Sequence, residues 1–342
     1  MTVREIAELA GVSIGTVDRV LYKRGRVSAE TRAKVQGIIE QYQFRPNPIA
    51  RRLKRNRAYR FSILLPRRDQ DAGYWGQALD GIRAAAAEIA PLGVETEILE
   101  YDRYNVLSFQ NAADKAVAAR PDGLVIPPIM PEKTGPFIAD IQREHIPYVF
   151  FDADMPGTAP LMTICQDSFK GGYLAGRLMH LFAGSFHRPV AVLDPHGEDY
   201  HIIRRRDGFL KYAAEQGIKT VVREYSGYKE PEISSEEIAG FFGDYPNLDG
   251  IFITNCMAHR VAEAVQRCGR TGDFILIGYD LIPKNLQFLK EDRINAIISQ
   301  RPETQGREAL LNLYRWIVLE QAISPRLEIP LDVYIRENAP PE

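Results

Sequence analysis

Cysteine is scarce in this 342-residue sequence, which contains three: Cys165, Cys256 and Cys268. Their number is odd and their spacings match neither metal nor redox motifs, which excludes a disulfide framework and favours reduced, packed thiols. Long apolar runs are also missing, since the stretch 148–151 is far too short to cross a bilayer. The N-terminal residues lack the apolar core of a secretory signal. We therefore expect a cytoplasmic protein with no membrane partner.

The common catalytic motifs are absent as well. The sequence contains no G-x-x-x-x-G-K-[ST] phosphate loop, no G-x-S-x-G elbow and no H-E-x-x-H helix. The polar run 196–201 begins and ends with His196 and His201, but it has none of the spacings of a structural zinc site. We expect this run to be a loop with polar groups facing a cleft, and we expect no catalytic residue, metal or cofactor.

Positive charge is concentrated at one end of the chain. Residues 1–60 contain 14 Lys and Arg against 5 Asp and Glu, a net charge of +9. The remaining residues contain 29 against 40, a net charge of −11. A basic segment on an acidic body suggests contact with a polyanion, although a basic solvated surface would give the same bias.

The basic segment carries three short helical patterns. Apolar residues at helical spacing predict a first helix that ends at Gly11, and Ser13 caps a second helix that runs through Val17 and Leu21. Ser28 caps a third helix. The three-residue break between the first two helices is typical of a helix-turn-helix.

These residues resemble the lactose-repressor (LacI/GalR) family of transcription regulators. The matching string spans 3–20 and 27–32, and its core, residues 10–20, reads Ala-Gly-Val-Ser-x-x-Thr-Val-x-Arg-Val. The resemblance implies that the second helix lies in the major groove of an operator. The DNA-contact residues that it implies in the head are Ser13, Ile14, Gly15, Thr16, Arg19 and Arg26.

Two positions depart from the family pattern. Gly15 stands where relatives often carry a long base-reading side chain. Asp18 stands where a small hydroxyl residue is common, and it either accepts a hydrogen bond from a cytosine amino group or pairs with Arg19 or Arg4. The base sequence of the operator therefore does not follow from the resemblance.

The segment after residue 46 resembles the family's hinge helix, which folds on DNA as a pair from two subunits and enters the minor groove. Asn47 caps this helix, and Leu53 stands where the family places a leucine wedge between base pairs. Ala50 allows the two hinge helices to approach closely, and Arg51 is a further DNA contact. A basic linker is the alternative, because so short a helix is marginal alone in water.

From residue 59 onward, strand-like and helix-like segments alternate. Such alternation predicts parallel sheets joined by crossover helices, with ligands beyond the carboxyl ends of the strands. The predicted strands are 61–65, 94–100, 124–126, 148–151, 190–193, 221–225, 250–254, 275–278 and 296–299, and the predicted helices include 77–89, 106–118 and 169–182.

The order of these segments resembles the two-lobed periplasmic sugar-binding fold that forms the core of the same family. The implied fold class is an all-α helix-turn-helix head on an α/β, two-lobed, periplasmic-binding-protein-like body with parallel sheets. Residues 164–172 and 295–306 resemble its passages between lobes. The expected domains are 1–46 for DNA binding, 47–57 for the hinge helix and 58–342 for effector binding and dimerisation.

A sugar effector needs carboxylates, amides and guanidinium groups for its hydroxyls, and aromatic faces for its C–H surface. The strand ends and nearby helices supply this set, and the candidates are Asp71, Tyr74, Trp75, Asp152, Arg205, Asn255, Asp280 and Gln300. Core packing is the alternative for Tyr74 and Trp75. A solvated helix face is expected for Arg204 and Arg206.

The sequence therefore predicts a DNA-binding transcription regulator, a repressor that acts as a homodimer and responds to a small sugar or sugar derivative between its lobes. A purine or nucleoside effector is an alternative within the same fold. A sugar-binding transport protein would need a signal peptide and no helix-turn-helix, and a sugar kinase would need a phosphate-binding loop.

Overall fold

The structure is a computed structural model that describes residues 1–21, 25–42, 44, 58–225, 234–267 and 274–341, without the side chain of Ser235. It shows a helical head at the N-terminus and an α/β body with two sheets. The expected hinge segment lies outside the described residues, and so do the DNA contacts predicted there: Asn47, Ala50, Arg51 and Leu53.

The head is built from α1 (Val3–Ala10), α2 (Ile14–Leu21) and α3 (Ala29–Gln41). Gly11 ends α1 with φ 64°, a left-handed conformation that favours glycine, so the predicted end of the first helix is confirmed. Side chains from all three helices share one small core, which contains Ile6, Ala7, Ala10, Val17, Val20 and Val35.

The body contains twelve strands among the described residues: β1 (Tyr59–Pro66), β2 (Val94–Tyr101), β3 (Gly123–Ile126), β4 (Tyr148–Phe151), β5 (Met162–Cys165), β6 (Val190–Pro195), β7 (Thr220–Tyr225), β8 (Gly250–Ile253), β9 (Ile275–Tyr279), β10 (Ala296–Ser299), β11 (Arg326–Glu328) and β12 (Asp332–Tyr334). They form two sheets of the same topology, β2-β1-β3-β4-β5-β11 and β7-β6-β8-β9-β10-β12. The described pairings are parallel except that of β12 with β10. In each sheet the strand order reverses beside β1 or β6, where a ligand crevice opens at the carboxyl ends.

Helices cover both sheets, and they are α4 (Tyr74–Ile89), α5 (Val106–Ala118), α6 (Pro131–Arg143), α7 (Ser168–Ala183), α8 (Tyr200–Glu215), α9 (Ser235–Asp244), α10 (Ala258–Arg267), α11 (Pro283–Lys290) and α12 (Pro302–Ile317). α4 packs against α12 beside the first sheet, and α7 packs against α8 beside the second. The first lobe consists of the first sheet with α4, α5, α6 and α12, and the second lobe consists of the second sheet with α7 to α11.

The chain passes between the lobes three times: from β5 to α7, from β10 to α12 and from β11 to β12. Gln166 lies in the first passage, and its Nε2 donates to the carbonyl oxygens of Ser299 and Pro330, both at 2.7 Å. Those carbonyls belong to the second and third passages. One buried amide therefore links all three connections.

The sequence patterns missed three strands and part of one helix. β5 was not predicted because its four residues form a short apolar run with no visible alternation, and β11 and β12 are edge strands of three residues each. The helix expected from residue 77 begins at Tyr74, because the glycine before it takes φ 90° and starts the helix earlier. The alternating fold class itself is confirmed.

None of the helices in the described part of the chain is long and apolar enough to cross a membrane. Cys165 and Cys256 are buried free thiols, and Cys268 lies outside the description. Among the described residues, no group of three or more His, Cys, Asp or Glu side chains is arranged so that it could hold a metal ion.

Candidate functional site

A cleft opens where the carboxyl ends of the two sheets face each other. It encloses about 360 Å³ of space not filled by protein atoms, counting its opening to solvent. All eight candidate effector residues lie in its lining: Asp71, Tyr74, Trp75, Asp152, Arg205, Asn255, Asp280 and Gln300. The lining also includes Arg103, Ile129, His196, Asp199, His201, Ile202 and Cys256.

Left-handed backbone conformations aim several of these side chains into the cleft. Asp152, His196 and Asp280 each come directly after a strand and have φ values of 72°, 59° and 66°, and Asp71, five residues after β1, has a φ of 51°. Such angles are uncommon outside glycine, and they recur where the surrounding structure holds a side chain in place for a function. The chain therefore turns sharply at these strand ends.

Asp71 is the centre of a hydrogen-bond network in the first lobe. Its carboxylate accepts from Trp75 Nε1 (2.7 Å), from the Tyr104 hydroxyl (2.7 Å) and from Arg103 Nη1. Burial alone would raise the pKa of Asp71, but the Arg103 charge and these donors outweigh it and lower the pKa. Trp75 is only 1% exposed, and its ring N–H already donates to Asp71. Its ring therefore packs in the core and also forms part of the cleft wall.

Asp199 connects the two lobes across the cleft. It precedes α8 in the second lobe, and its carboxylate accepts from Arg103 Nη2 (3.1 Å) and from the Met130 backbone N–H (2.7 Å), both in the first lobe. Cys256 of the second lobe also approaches the Asp71 carbonyl oxygen with its Sγ (3.4 Å). These contacts hold the lobes together around the cleft.

Asp152 is a buried carboxylate held from two sides. Its backbone N–H donates to Gln305 Oε1 (2.7 Å), and its Oδ1 accepts from the Tyr74 hydroxyl. Burial raises the pKa of Asp152 to about 6, although the Tyr74 hydrogen bond and the Arg205 charge act against it. Tyr74 therefore contacts the cleft through its hydroxyl while its ring packs in the core.

Asp280 faces the cleft from the second lobe. Gln300 Nε2 donates to both of its carboxylate oxygens at 3.1 Å, which leaves Gln300 Oε1 buried with no hydrogen-bond partner. Burial raises the pKa of Asp280 to about 7, with Arg205 and Gln300 acting against it. Behind the site, Asn285 Nδ2 donates to the carbonyl oxygens of Cys256 (2.8 Å) and Asp280 (2.9 Å), which fixes the two neighbouring strand ends.

Arg205 on α8 is the buried cation of the second lobe, with 1% exposure. Its guanidinium lies 3.7 Å from the centroid of the Tyr279 ring, and its Nη1 donates to the Thr254 carbonyl oxygen at 2.8 Å. Its Nε and Nη2 are buried and have no hydrogen-bond partner. Buried donors without partners are costly, so these two nitrogens mark where a ligand would supply acceptors.

The flanking arginines differ from each other. Arg204 is on the partly exposed face and pairs with Asp207 at 3.3 Å, as a solvated residue would. Arg206 was also expected to be solvated, but that expectation was wrong. It is only 19% exposed because it pairs at 2.9 Å with the fully buried carboxylate of Asp194.

Sequence reasoning missed Arg103. Arg103 comes two residues after β2, close to the position directly after a strand that drew attention to Asp152 and Asp280. The run 196–201 was expected to be a loop that faces a cleft, but only 196–199 form a loop, because Tyr200 and His201 begin α8. His196 and His201 are buried in the lining, and burial lowers their pKa values, to about 3 for His196 and well below the usual value for His201. Both imidazoles are therefore neutral at neutral pH.

In the head, α2 buries Val17 and Val20 and turns its other face outward. Ser13 accepts a hydrogen bond from the Thr16 backbone N–H at 3.1 Å, so the predicted cap of the second helix is confirmed. The outward residues include most of the predicted contacts: Ser13, Ile14, Gly15, Arg19 and Arg26 are exposed, and Thr16 is half-buried. An exposed, uncharged face at the start of a second helix, with Arg19 in its last turn, has the shape of a major-groove reader.

Family comparisons agree with both parts of this architecture. The model described as "Bacterial regulatory proteins, lacI family" matches residues 2–47, and the model described as "Periplasmic binding protein domain" matches residues 62–319. Among curated relatives, the HTH-type transcriptional repressor PurR of Salmonella arizonae is 28% identical over 337 residues, which cover 96% of this chain and 94% of the relative. PurR of Erwinia tasmaniensis is 29% identical over 286 residues, which cover 82% and 80%.

Solved structures show the same fold. A protein from Bacteroides fragilis assigned to the LacI transcriptional regulators superposes with a TM-score of 0.75 at 27% identity, over 82% of this chain and 98% of that one. The lac repressor dimer bound to operator and an anti-inducer has a TM-score of 0.65 at 21% identity, over 97% of each chain. The chain belongs to the periplasmic binding protein domain family through residues 62–319, and its head matches the lacI family of bacterial regulatory proteins, so the chain is a DNA-binding, ligand-responsive regulator.

Proposed function

We propose that this regulator binds a sugar or sugar derivative in the interlobe cleft, and that this binding changes the affinity of a homodimer for operator DNA in the cytoplasm. The observation that carries the proposal is Arg205, a fully buried guanidinium with two unpartnered nitrogens beside the carboxylates of Asp152 and Asp280. Hydroxyl groups satisfy both kinds of partner, because each can accept from the guanidinium and donate to a carboxylate.

The fold offers a route from the cleft to the DNA. A ligand that contacts both lobes favours one relative position of the lobes, and Gln166 links the three passages that join them. The first lobe begins directly after the expected hinge, so a change in lobe position alters the spacing of the two hinge segments of a dimer. Operator affinity then depends on the ligand as a coupling free energy between two sites.

DNA binding is proposed for residues 1–46, with Ser13, Thr16 and Arg19 on the outward face of α2 as contacts. The hinge is proposed for residues 47–57, and effector binding and dimerisation for residues 58–342. The positive charge of the first 60 residues favours the phosphate backbone over any uncharged partner.

Isothermal titration calorimetry on the full chain tests the effector site, after a thermal-shift screen of sugars, polyols and nucleosides has identified a ligand. Charged hydrogen bonds to a buried ligand are worth roughly 1.5–3 kcal/mol each. Asp280→Asn should therefore weaken binding by roughly ten- to a hundred-fold. Arg205→Ala should do the same, and Arg204→Ala on the same helix is the matched control.

Equal losses of effector affinity in the Arg204→Ala and Arg205→Ala variants would contradict the assignment of Arg205 as the effector-binding arginine. Unchanged affinity in both Arg205→Ala and Asp280→Asn would show that the effector binds elsewhere. Thermal unfolding of each variant without ligand separates lost binding from lost folding.

A further inference from the structure

The charges that line the cleft are unequal in sign. Four carboxyl groups face it, from Asp71, Asp152, Asp199 and Asp280, but only two guanidinium groups, from Arg103 and Arg205. The two histidines of the lining add no charge, because burial lowers their pKa values. Because the pKa of Asp280 is about 7, about half of its carboxyl is protonated at neutral pH, and with the other three carboxylates counted as charged the described lining has a net charge between −1 and −2.

Arg103 is already neutralised by the protein. Its Nη1 donates to Asp71 and its Nη2 to Asp199 (3.1 Å), and the side chain is 4% exposed. Two carboxylates on one guanidinium leave it unable to attract an anion. Asp199 in turn accepts a hydrogen bond from the Met130 backbone N–H at 2.7 Å, so a ligand that displaced Asp199 from Arg103 would also have to break this bond.

Arg205 keeps unused donors but lies between two acids. Its charge acts on both Asp152 and Asp280, which places all three groups within electrostatic reach of one another. An anionic ligand group that approached Arg205 would also meet these carboxylates, and like charges placed together in a buried site cost several kcal/mol. An ammonium group would leave the two unpartnered nitrogens of Arg205 without acceptors, because it has none to offer.

We propose that the effector is an uncharged polyol, a free sugar or sugar alcohol, and that Asp71 and Asp199 determine this selectivity by neutralising Arg103. Phosphorylated sugars and sugar acids are rejected. The inference rests on the proposed function of the cleft, and it adds the charge of the ligand and the residues that determine selectivity for that charge. Removing one of the two carboxylates leaves the positive charge of Arg103 only partly neutralised, so the cleft then binds anionic ligands more tightly.

Matched ligand pairs test the inference in the full chain. Calorimetry compares uncharged polyols with their charged derivatives and with nucleosides. The uncharged polyols are glucose, galactose, ribose, arabinose, sorbitol and inositol. The charged derivatives are glucose 6-phosphate, ribose 5-phosphate, gluconate, galacturonate and glucosamine, and the nucleosides are adenosine and guanosine. We expect at least one uncharged polyol to bind, and its phosphate and acid to bind at least a hundred-fold more weakly. In Asp199→Asn, the ratio of the neutral to the anionic affinity should shrink at least ten-fold. Asp207→Asn, which removes a half-exposed carboxylate from the helix that follows Asp199, leaves this ratio unchanged.

A sugar phosphate, sugar acid or amino sugar that binds more tightly than its neutral parent, and that loses affinity in Asp280→Asn, overturns the charge selectivity but leaves the cleft as the effector site. An unchanged ratio of neutral to anionic affinity in both Asp199→Asn and Asp71→Asn overturns the proposal that neutralising Arg103 determines the charge selectivity. Binding of nucleosides alone overturns the polyol class. Neutral-sugar binding that is insensitive to Asp280→Asn overturns the proposed function itself.

Discussion

A methyl group added at Gly172 should disturb both the fold and the cleft. α7 and α8 cross with their backbones in contact, and a Cβ at Gly172 would lie 2.6 Å from the carbonyl carbon of Arg205 and 2.9 Å from its Cα. Carbon atoms in ordinary contact are roughly 3.5–4.0 Å apart. The obstacle is backbone, which has no rotamer to change, so Gly172→Ala must push the helices apart by about 1 Å.

The size of the effect follows from the cost of overpacking, which is roughly 1–3 kcal/mol for a well-packed interior. A body of this size loses roughly 2–4 °C of Tm for each kcal/mol. The displaced helix carries Arg205, whose guanidinium must also keep its place on the Tyr279 ring. We therefore expect effector affinity to fall by about ten-fold or more, since the loss of about 1.4 kcal/mol of ligand contact has that effect.

Differential scanning calorimetry and effector titration measure the two consequences in the same sample. Gly240→Ala is the control, because Gly240 is inside α9 and a Cβ there would meet nothing within 4 Å. Helix propensity predicts that this variant is more stable than wild type, by up to about 1 kcal/mol. If Gly172→Ala unfolds at or above the wild-type temperature and binds effector normally, the reasoning about the helix crossing is wrong.

Three further predictions concern pH and DNA. Because burial raises the pKa of Asp280 to about 7, the folded protein holds a proton that the unfolded chain releases between about pH 4 and 7. As the pH rises over this interval, the Tm of the ligand-free wild-type protein should therefore fall more steeply than the Tm of Asp280→Asn. Equal slopes in the two proteins would contradict the raised pKa of Asp280. A truncation that begins at Tyr59 should lose operator binding but keep effector binding, and the logarithm of the operator affinity of the full chain should fall linearly with the logarithm of the salt concentration in a filter-binding assay. Leu53→Ala should weaken operator binding more than binding to random DNA at the same salt concentration, since a wedge acts only on kinked DNA.

The strand ends explain why much of the site could be predicted from sequence. Asp152 and Asp280 each follow a short apolar strand, and the carboxyl ends of parallel strands meet at one edge of a sheet. The helix-turn-helix was predictable because its caps and its glycine are local signals, such as Ser13 and Gly11. Local patterns of this kind do not depend on how distant parts of the chain pack.

The contacts between lobes could not be predicted in the same way. Arg103 and Asp199 are 96 positions apart, and their pairing depends on how far the lobes close rather than on either local sequence. The same is true of Gln166, whose two acceptors belong to passages formed more than 130 positions later. The short edge strands β11 and β12 were missed because three residues show no period.

Operator affinity measured with and without effector tests the central claim most directly. In a fluorescence anisotropy assay on the full chain, the uncharged effector should change the Kd for operator DNA in the wild-type protein. Asp280→Asn should bind operator equally well without effector and show no change at effector concentrations that saturate the wild type. A full wild-type response in Asp280→Asn and in Arg205→Ala would show that the interlobe cleft does not control DNA binding.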